Sequence, residues 1–185
     1  QVGTGLADVG LGSGVVTVTG TVWRAGSGVL GATSLNLGAV REGQAFGTAG
    51  LSLSNGSAND GFSEKLNATL GTLSGNAVGS GSVSLLGAGQ SDTSTLQVGL
   101  SGTATAGAKS GSVVVNYVTD GTGTSGVASE AVGSGTVSVS GTVYRLATAG
   151  LGNAGTVNLG NIRAGSVFGS GTMVVTNTAS GDGYS

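Results

Sequence analysis

The sequence predicts an all-β protein built on a repeated unit, and three observations carry that expectation. Apolar and hydroxyl residues alternate with period two, as in Val16, Val18 and Val22 against Thr17, Thr19 and Thr21, the spacing that turns one face of a strand to a core and the other to water. Glycine is abundant and proline absent, with 40 and 0 of 185 residues, which excludes the collagen period and suits short strands joined by tight turns. Long strings also recur. "GVVTVTGTVWR" at Gly14–Arg24 returns as "GTVSVSGTVYR" at Gly135–Arg145, an offset of 121 residues. "NLGAVREGQAFG" at Asn36–Gly47 returns as "NLGNIRAGSVFG" at Asn158–Gly169, and "NDGFS" at Asn59–Ser63 returns as "GDGYS" at Gly181–Ser185, both at an offset of 122. The one-residue difference falls between Ala25 and Ser34. A unit of about 120 residues is domain-sized, well above the 20–50 residues of a solenoid repeat.

Taken in chain order, the unit reads as about seven strands. The strand Val15–Trp23 buries Val16, Val18 and Val22, and its second copy buries Val137, Val139 and Val143 while Ser138, Ser140 and Thr142 face water. Similar alternation marks Leu51/Leu53, Leu66/Ala68/Leu70, Val83/Leu85, Leu96/Val98/Leu100 and Val113/Val115/Tyr117. Between them sit Asn55-Gly56, Gly79-Ser80-Gly81, Gly87-Ala88-Gly89 and Asp120-Gly121, residue types that accept positive φ or bond back to their own backbone in turns. Seven strands in 110–120 residues match the size of an immunoglobulin-like antiparallel β-sandwich. The antibody cysteines are missing, and Trp23 lies on the polar parity with Tyr144 as its counterpart.

Composition narrows the function. Hydrophobic residues make up 38% of the chain, enough for a core. Only 8% are charged and the net charge is −2, so no basic field exists to hold nucleic acid or an anionic membrane. No apolar run is long enough to span a bilayer as a helix. With no cysteine, neither disulfides nor thiolate metal sites hold the fold. Histidine is absent too, and the acids Asp8, Glu42, Asp60, Glu64, Asp92, Asp120, Glu130 and Asp182 are scattered over Gly/Ser turns. A hydrolase needs a base beside its nucleophile or two facing carboxylates, so no catalytic residue, cofactor or metal is expected. The Asp-Gly pairs lack the oxygen-rich spacing of calcium loops and read as turns. Two sequons, Asn55-Gly56-Ser57 and Asn67-Ala68-Thr69, accord with a secreted surface protein.

The order of elements then carries a resemblance. "SLNLGAVREGQAFGTAGLSLSNGS", "GSVSLLGAGQSDTSTLQVGLSGTATAGAKSGSVVVNYVTDGTG" and "GSGTVSVSGTVY" are similar to the strand motifs of bacterial choice-of-anchor D repeats, which resemble the ASH/sperm-protein group of Ig-like domains. Leu37 stands where that pattern usually has Phe, and Gly87-Ala88-Gly89 replaces its turn proline. The resemblance implies an extracellular or cell-surface bacterial repeat with a structural or binding role and no catalytic residues. It divides the chain into closing strands of a preceding repeat at 1–25, one whole repeat at 32–146 and opening strands of a following repeat at 154–185.

Partial sandwiches expose apolar faces and strand edges, which neighbouring copies or more of the same chain are expected to cover. The expected role is a structural repeat of an extracellular filament, sheath or stalk, assembling head to tail with copies of itself, by strand exchange or by chain continuation. The alternative is an adhesin or glycan-binding module contacting surface polysaccharide. The candidate contact residues are the recurrent pairs Arg24/Arg145, Trp23/Tyr144 and Arg41/Arg163. Arg24 and Arg145 share the parity of the core valines and should lie where a strand leaves its sandwich, stem on apolar surface and guanidinium at the rim.

Overall fold

In the computed structural model, residues 3, 5–7, 10, 12–152 and 155–185 are described. Asp8, the first residues of the expected 1–25 segment and residue 154 lie outside them. The described chain is all-β, with several sheets and no helix.

A five-stranded sheet has the order β2 (Ser34–Arg41), β11 (Glu130–Tyr144), β10 (Gly107–Asp120), β5 (Lys65–Gly75), β7 (Ser82–Leu86). Every pairing in it is antiparallel except β2 with β11, which is parallel and runs from Ser34↔Ser138 to Arg41↔Tyr144. Two three-stranded sheets complete this unit: β1 (Gly28–Leu30), β4 (Leu53–Asn55) and β8 (Ser91–Asp92), then β3 (Ala49–Gly50), β9 (Gln97–Leu100) and β6 (Ala77–Ser80). A hairpin of β12 (Ala149–Leu151) and β13 (Val175–Asn177) forms a separate two-stranded sheet.

All three larger sheets feed one core. β11 contributes Val137, Val139 and Val143, β10 contributes Val113, Val115 and Tyr117, and β5 contributes Leu66 and Ala68. Leu53, Leu96, Val98, Leu100 and Phe46 meet them from the other sheets and connections. Burying each such Val or Leu stabilises the fold by about 1.5–3 kcal/mol. Close approach of the layers requires glycine at two places on β11. A Cβ at Gly135 would lie 2.5 Å from the Tyr117 hydroxyl, and one at Gly141 would lie 2.5 Å from the Phe46 ring.

The alternation therefore places the second-copy valines correctly, with Ser138 and Ser140 exposed on the opposite face. It fails for the first copy. Val16, Val18 and Val22 are 85%, 89% and 90% exposed, and residues 12–22 form no strand. A strand buries its apolar face only against partners, and this segment has no sheet beside it. Leu85 departs from its expected parity for a local reason: its φ of 54° is left-handed, and its N–H donates to Asn67 Oδ1 instead of following a regular ladder. The side chain is exposed. The unit also holds more strands than the seven expected, because β1, β3, β6 and β8 are short pieces without a readable period.

Candidate functional site: two matched junctions

The recurrent residues gather at two places, one at each end of the central unit. At the first, Arg24 bridges Ser63: its N–H donates to Phe62 O at 2.8 Å, and Glu64 N–H donates to Arg24 O at 2.8 Å. Its guanidinium meets Asp60 Oδ2 at 2.6 Å. The rings of Trp23 and Phe62 sit 5.9 Å apart, tilted, a favourable aromatic arrangement. Asp60 also accepts Phe62 N–H at 3.1 Å. That backbone bond, followed by the Arg24 guanidinium, holds its carboxyl below the ordinary carboxylate range.

The second junction repeats these contacts with the second set of residues. Arg145 N–H donates to Tyr184 O at 2.8 Å, its Nη1 reaches both Asp182 oxygens at 2.7 Å, and Tyr144 and Tyr184 pair at 6.2 Å. Asp182 accepts Tyr184 N–H at 3.1 Å, as Asp60 accepts Phe62. Arg145 first, then that backbone bond, lowers the Asp182 carboxyl. Arg145 is the better covered of the two arginines, with a side chain 23% exposed against 55% for Arg24. Glu42 stands beside the second junction. Its N–H holds Tyr144 O, its carboxylate takes Ala106 N–H at 2.6 Å, and its charge adds to that of Asp182 in favouring the Arg145 cation.

The likeness extends into the backbone beyond each arginine. Asn55 Oδ1 accepts Ser27 N–H and Ser57 N–H, while Asn177 Oδ1 accepts Thr148 N–H and Ala179 N–H. The strand pair β1–β4 is matched by β12–β13. Gly38 and Gly160, with φ of 77° and 74°, each donate to the asparagine two residues earlier. Arg41 and Arg163 each open the same tight turn, their carbonyls accepting Gln44 N–H and Ser166 N–H. Both arginine side chains are exposed, and among the described residues neither forms an ion pair. They thus stand apart from the junction clusters, whereas Arg24 with Trp23 and Arg145 with Tyr144 form them.

The copies also differ in their backbone. Residues 156–163, which correspond in sequence to β2, form no strand, and their apolar residues Val157, Leu159 and Ile162 are 40–45% exposed.

Two polar groups that the sequence reading gave other roles support the first junction. Asn55 is wholly buried, and its Nδ2 donates to Glu64 O and Leu86 O, so this sequon is closed to modification in the folded chain. Asn67 of the other sequon donates to Asp120 at 2.8 Å. Glu64 is only 5% exposed and accepts the hydroxyls of Thr119, at 2.6 Å, and Ser125. Thr119 Oγ1 in turn accepts Gly26 N–H at 2.7 Å, fastening the strand that follows Arg24. A buried carboxylate is costly unless hydrogen-bonded, and these hydroxyls meet that need. Only the recurrence of Asp60 and Asp182 beside an aromatic could have signalled the arginine partners in advance.

Among the described residues, no group of three or more His, Cys, Asp or Glu is placed to hold a metal ion, and no helix is long and apolar enough to cross a membrane. A concavity of about 290 Å³ lies open on the β12–β13 hairpin, lined by Ala147, Ala149 and Val175 with neighbouring Thr and Asn. Comparison of the chain with protein-family models, with curated proteins and with solved structures returns no match in any of the three.

Proposed function

We propose that the chain is part of a tandem array of Ig-like β-sandwich units of the choice-of-anchor D type, serving as a structural repeat of an extracellular filament, sheath or stalk. The supporting observation is the matched pair of junctions. An aromatic-Arg step leaves one unit and is gripped by an Asp-Gly-aromatic-Ser turn of the next, once at Arg24–Asp60 and again at Arg145–Asp182. β11 enters the second junction without an intervening linker, since Tyr144 ends the strand and Arg145 already bonds to Tyr184. Units joined in this way follow one another in line, and a repeated heterologous contact of this kind builds an open fibre.

Low charge and the absence of cysteine suit a chemically quiet exposed material. The adhesin reading calls for an aromatic platform open to a sugar; here Trp23 and Tyr144 are engaged with Phe62 and Tyr184. Negative-stain microscopy of the protein purified from its source tests the proposal. Threads with a regular axial repeat of roughly 45–50 Å are expected, the length of a 15-residue strand. Isolated compact particles would refute it, and glycan binding lost on Trp23→Ala would favour the adhesin.

A further inference from the structure

The two entry segments, 24–31 and 145–152, are gripped alike, which leaves open how the fold tells them apart. Each offers an arginine and ends in Leu-Gly, and each pairs with a strand that closes on an asparagine, Asn55 or Asn177. Tandem domains of similar sequence misassemble by trading equivalent segments, and an arginine grip common to both junctions does nothing to prevent it. Discrimination has to come from the five positions at which the segments differ: Ala25/Leu146, Gly26/Ala147, Ser27/Thr148, Gly28/Ala149 and Val29/Gly150. Ala25, Ser27 and Val29 are exposed, whereas Gly26 is buried and Gly28 half-buried.

Both glycines lie against surfaces that leave no room for a methyl group. A Cβ at position 26 would lie 2.8 Å from Lys65 O and 3.4 Å from Leu66 Cα. That backbone is fixed in the ladder of β5 with β10, Lys65 opposite Asp120 and Leu66 opposite Thr119, and Gly26 N–H is itself tied to Thr119 Oγ1. A Cβ at position 28 would lie 2.5–2.7 Å from Cγ, Cδ1 and Cδ2 of Tyr117. This ring has nowhere to turn. It is buried, and its hydroxyl end abuts β11 at Gly135, where a Cβ would come within 2.5 Å of it. A methyl at either site therefore displaces the segment or the sheet beneath it.

We infer that Gly26 and Gly28 are specificity-determining residues, which admit the central unit's own entry segment and refuse the second one. Ala147 and Ala149 would bring methyl groups against Lys65 O and the Tyr117 ring, so residues 145–152 cannot take the place of residues 24–31 although their arginine and strand pattern fit. The exclusion runs one way, since glycine adds no bulk to the second hairpin, where Ala147 and Ala149 line an open concavity. The common grip supplies attraction, and the clash with the wrong segment supplies the choice. The use of this choice rests on the tandem-array reading: it sets which segment enters which unit, and so the order of units along the chain.

Two variants of the whole chain test the assignment. A full graft gives the first segment the residues of the second, through Ala25→Leu, Gly26→Ala, Ser27→Thr, Gly28→Ala and Val29→Gly. A partial graft carries only Ala25→Leu, Ser27→Thr and Val29→Gly. Amide hydrogen exchange at positions 26 and 27, whose N–H groups bond to Thr119 and Asn55, reads the docking directly. It should be roughly a hundredfold faster in the full graft than in the partial one, the worth of two overpacked contacts. Trp23 emission should shift to longer wavelength in the full graft alone, as its contact with Phe62 is lost. Where the full graft also loses the amide protection of β10, the single variants Gly26→Ala and Gly28→Ala take its place, each expected to speed exchange about tenfold. Equal exchange in the two grafts would overturn the assignment, whether both segments dock or neither does, and so would single variants that exchange no faster than the parent. Regular threads from the source with a docked full graft would remove the glycine key and leave the array reading intact; an undocked full graft with compact source particles would do the reverse.

Discussion

Val16, Val18 and Val22 occupy the same sequence pattern as Val137, Val139 and Val143, yet the first three are 85–90% exposed and the last three no more than 1%. The strands' own residues do not account for this, since the alternation is equally regular in both. What differs is the neighbourhood. β11 has β2 on one side, β10 on the other and the Leu100 and Phe46 side chains across the core, whereas residues 12–22 have no sheet. Amphipathic alternation marks a segment able to become a core strand; burial is conferred by the rest of the fold.

Equivalent substitutions in the two copies sharpen that contrast. The largest difference is expected between Val139→Asp and Val18→Asp. A carboxylate at the wholly buried site lacks any partner and should cost about 4–5 kcal/mol, enough to abolish the melting transition of a marginally stable unit. At dilution the exposed counterpart should shift stability by less than about 0.5 kcal/mol. Thermal melts followed by circular dichroism check both, and comparable losses would break the comparison.

Next in size is Asn55→Ala against Asn177→Ala. Removing the Asn55 side chain strips partners from two N–H groups and two carbonyls in a buried setting, a loss of about 3 kcal/mol. Asn177 is exposed, and water replaces its contacts. Urea unfolding midpoints at constant slope should fall for the first variant and barely move for the second.

Gly141→Ala against Gly20→Ala comes third. The new methyl at Gly141 would press on the Phe46 ring and on Leu100 at 3.1 Å, while at Gly20 nothing lies within 4 Å. An overpacking cost of about 1–3 kcal/mol is expected at the first site. At the second, the loss of unfolded-state freedom leaves the change near neutral. A Gly141→Ala protein as stable as the parent would show that the layers are less closely packed than their geometry requires.

The smallest effect is a pH response of the first junction. Asp60 titrates below its ordinary value of 3.8 because Phe62 N–H and Arg24 stabilise its charged form. A carboxyl depressed in the folded state contributes stability above its unfolded value, and that contribution is lost as pH falls through the folded one. Trp23, the one tryptophan, lies beside Phe62 and reports on the site. Its emission should hold steady from pH 8 to 5 and change below about pH 4, and Asp60→Asn should remove that acid step. An acid step retained in Asp60→Asn would assign it to another group.

The long strands were legible because two-residue alternation is a local signal that survives without knowledge of the fold: β10, β11 and the start of β5 fall where Val113–Tyr117, Val137–Val143 and Leu66–Ala68 alternate. Strands of two to four residues, such as β3 and β8, are too short for a period and exist through their partners. Asn55 read as a turn residue before glycine. Its role as a buried hub depends on Glu64 and Leu86, the latter 31 residues away. The arginines were legible as recurrent rim residues, but their partners Asp60 and Asp182 lie 36 and 37 residues further on, beyond any local pattern.

The parallel pairing of β2 with β11 has a mechanical consequence. The chain enters the unit at the Arg24 end and leaves it at the Arg145 end, and both strands point from the first to the second. Tension applied between Arg24 and Arg145 draws the start of β2 backward and the end of β11 forward, so the two strands are loaded in shear. The bonds from Ser34↔Ser138 to Arg41↔Tyr144 then share the force and must yield together, whereas a hairpin pulled from its open end surrenders its bonds one at a time. The same pairing that closes the sheet therefore makes the unit stiff along the axis that joins its Arg24 end to its Arg145 end.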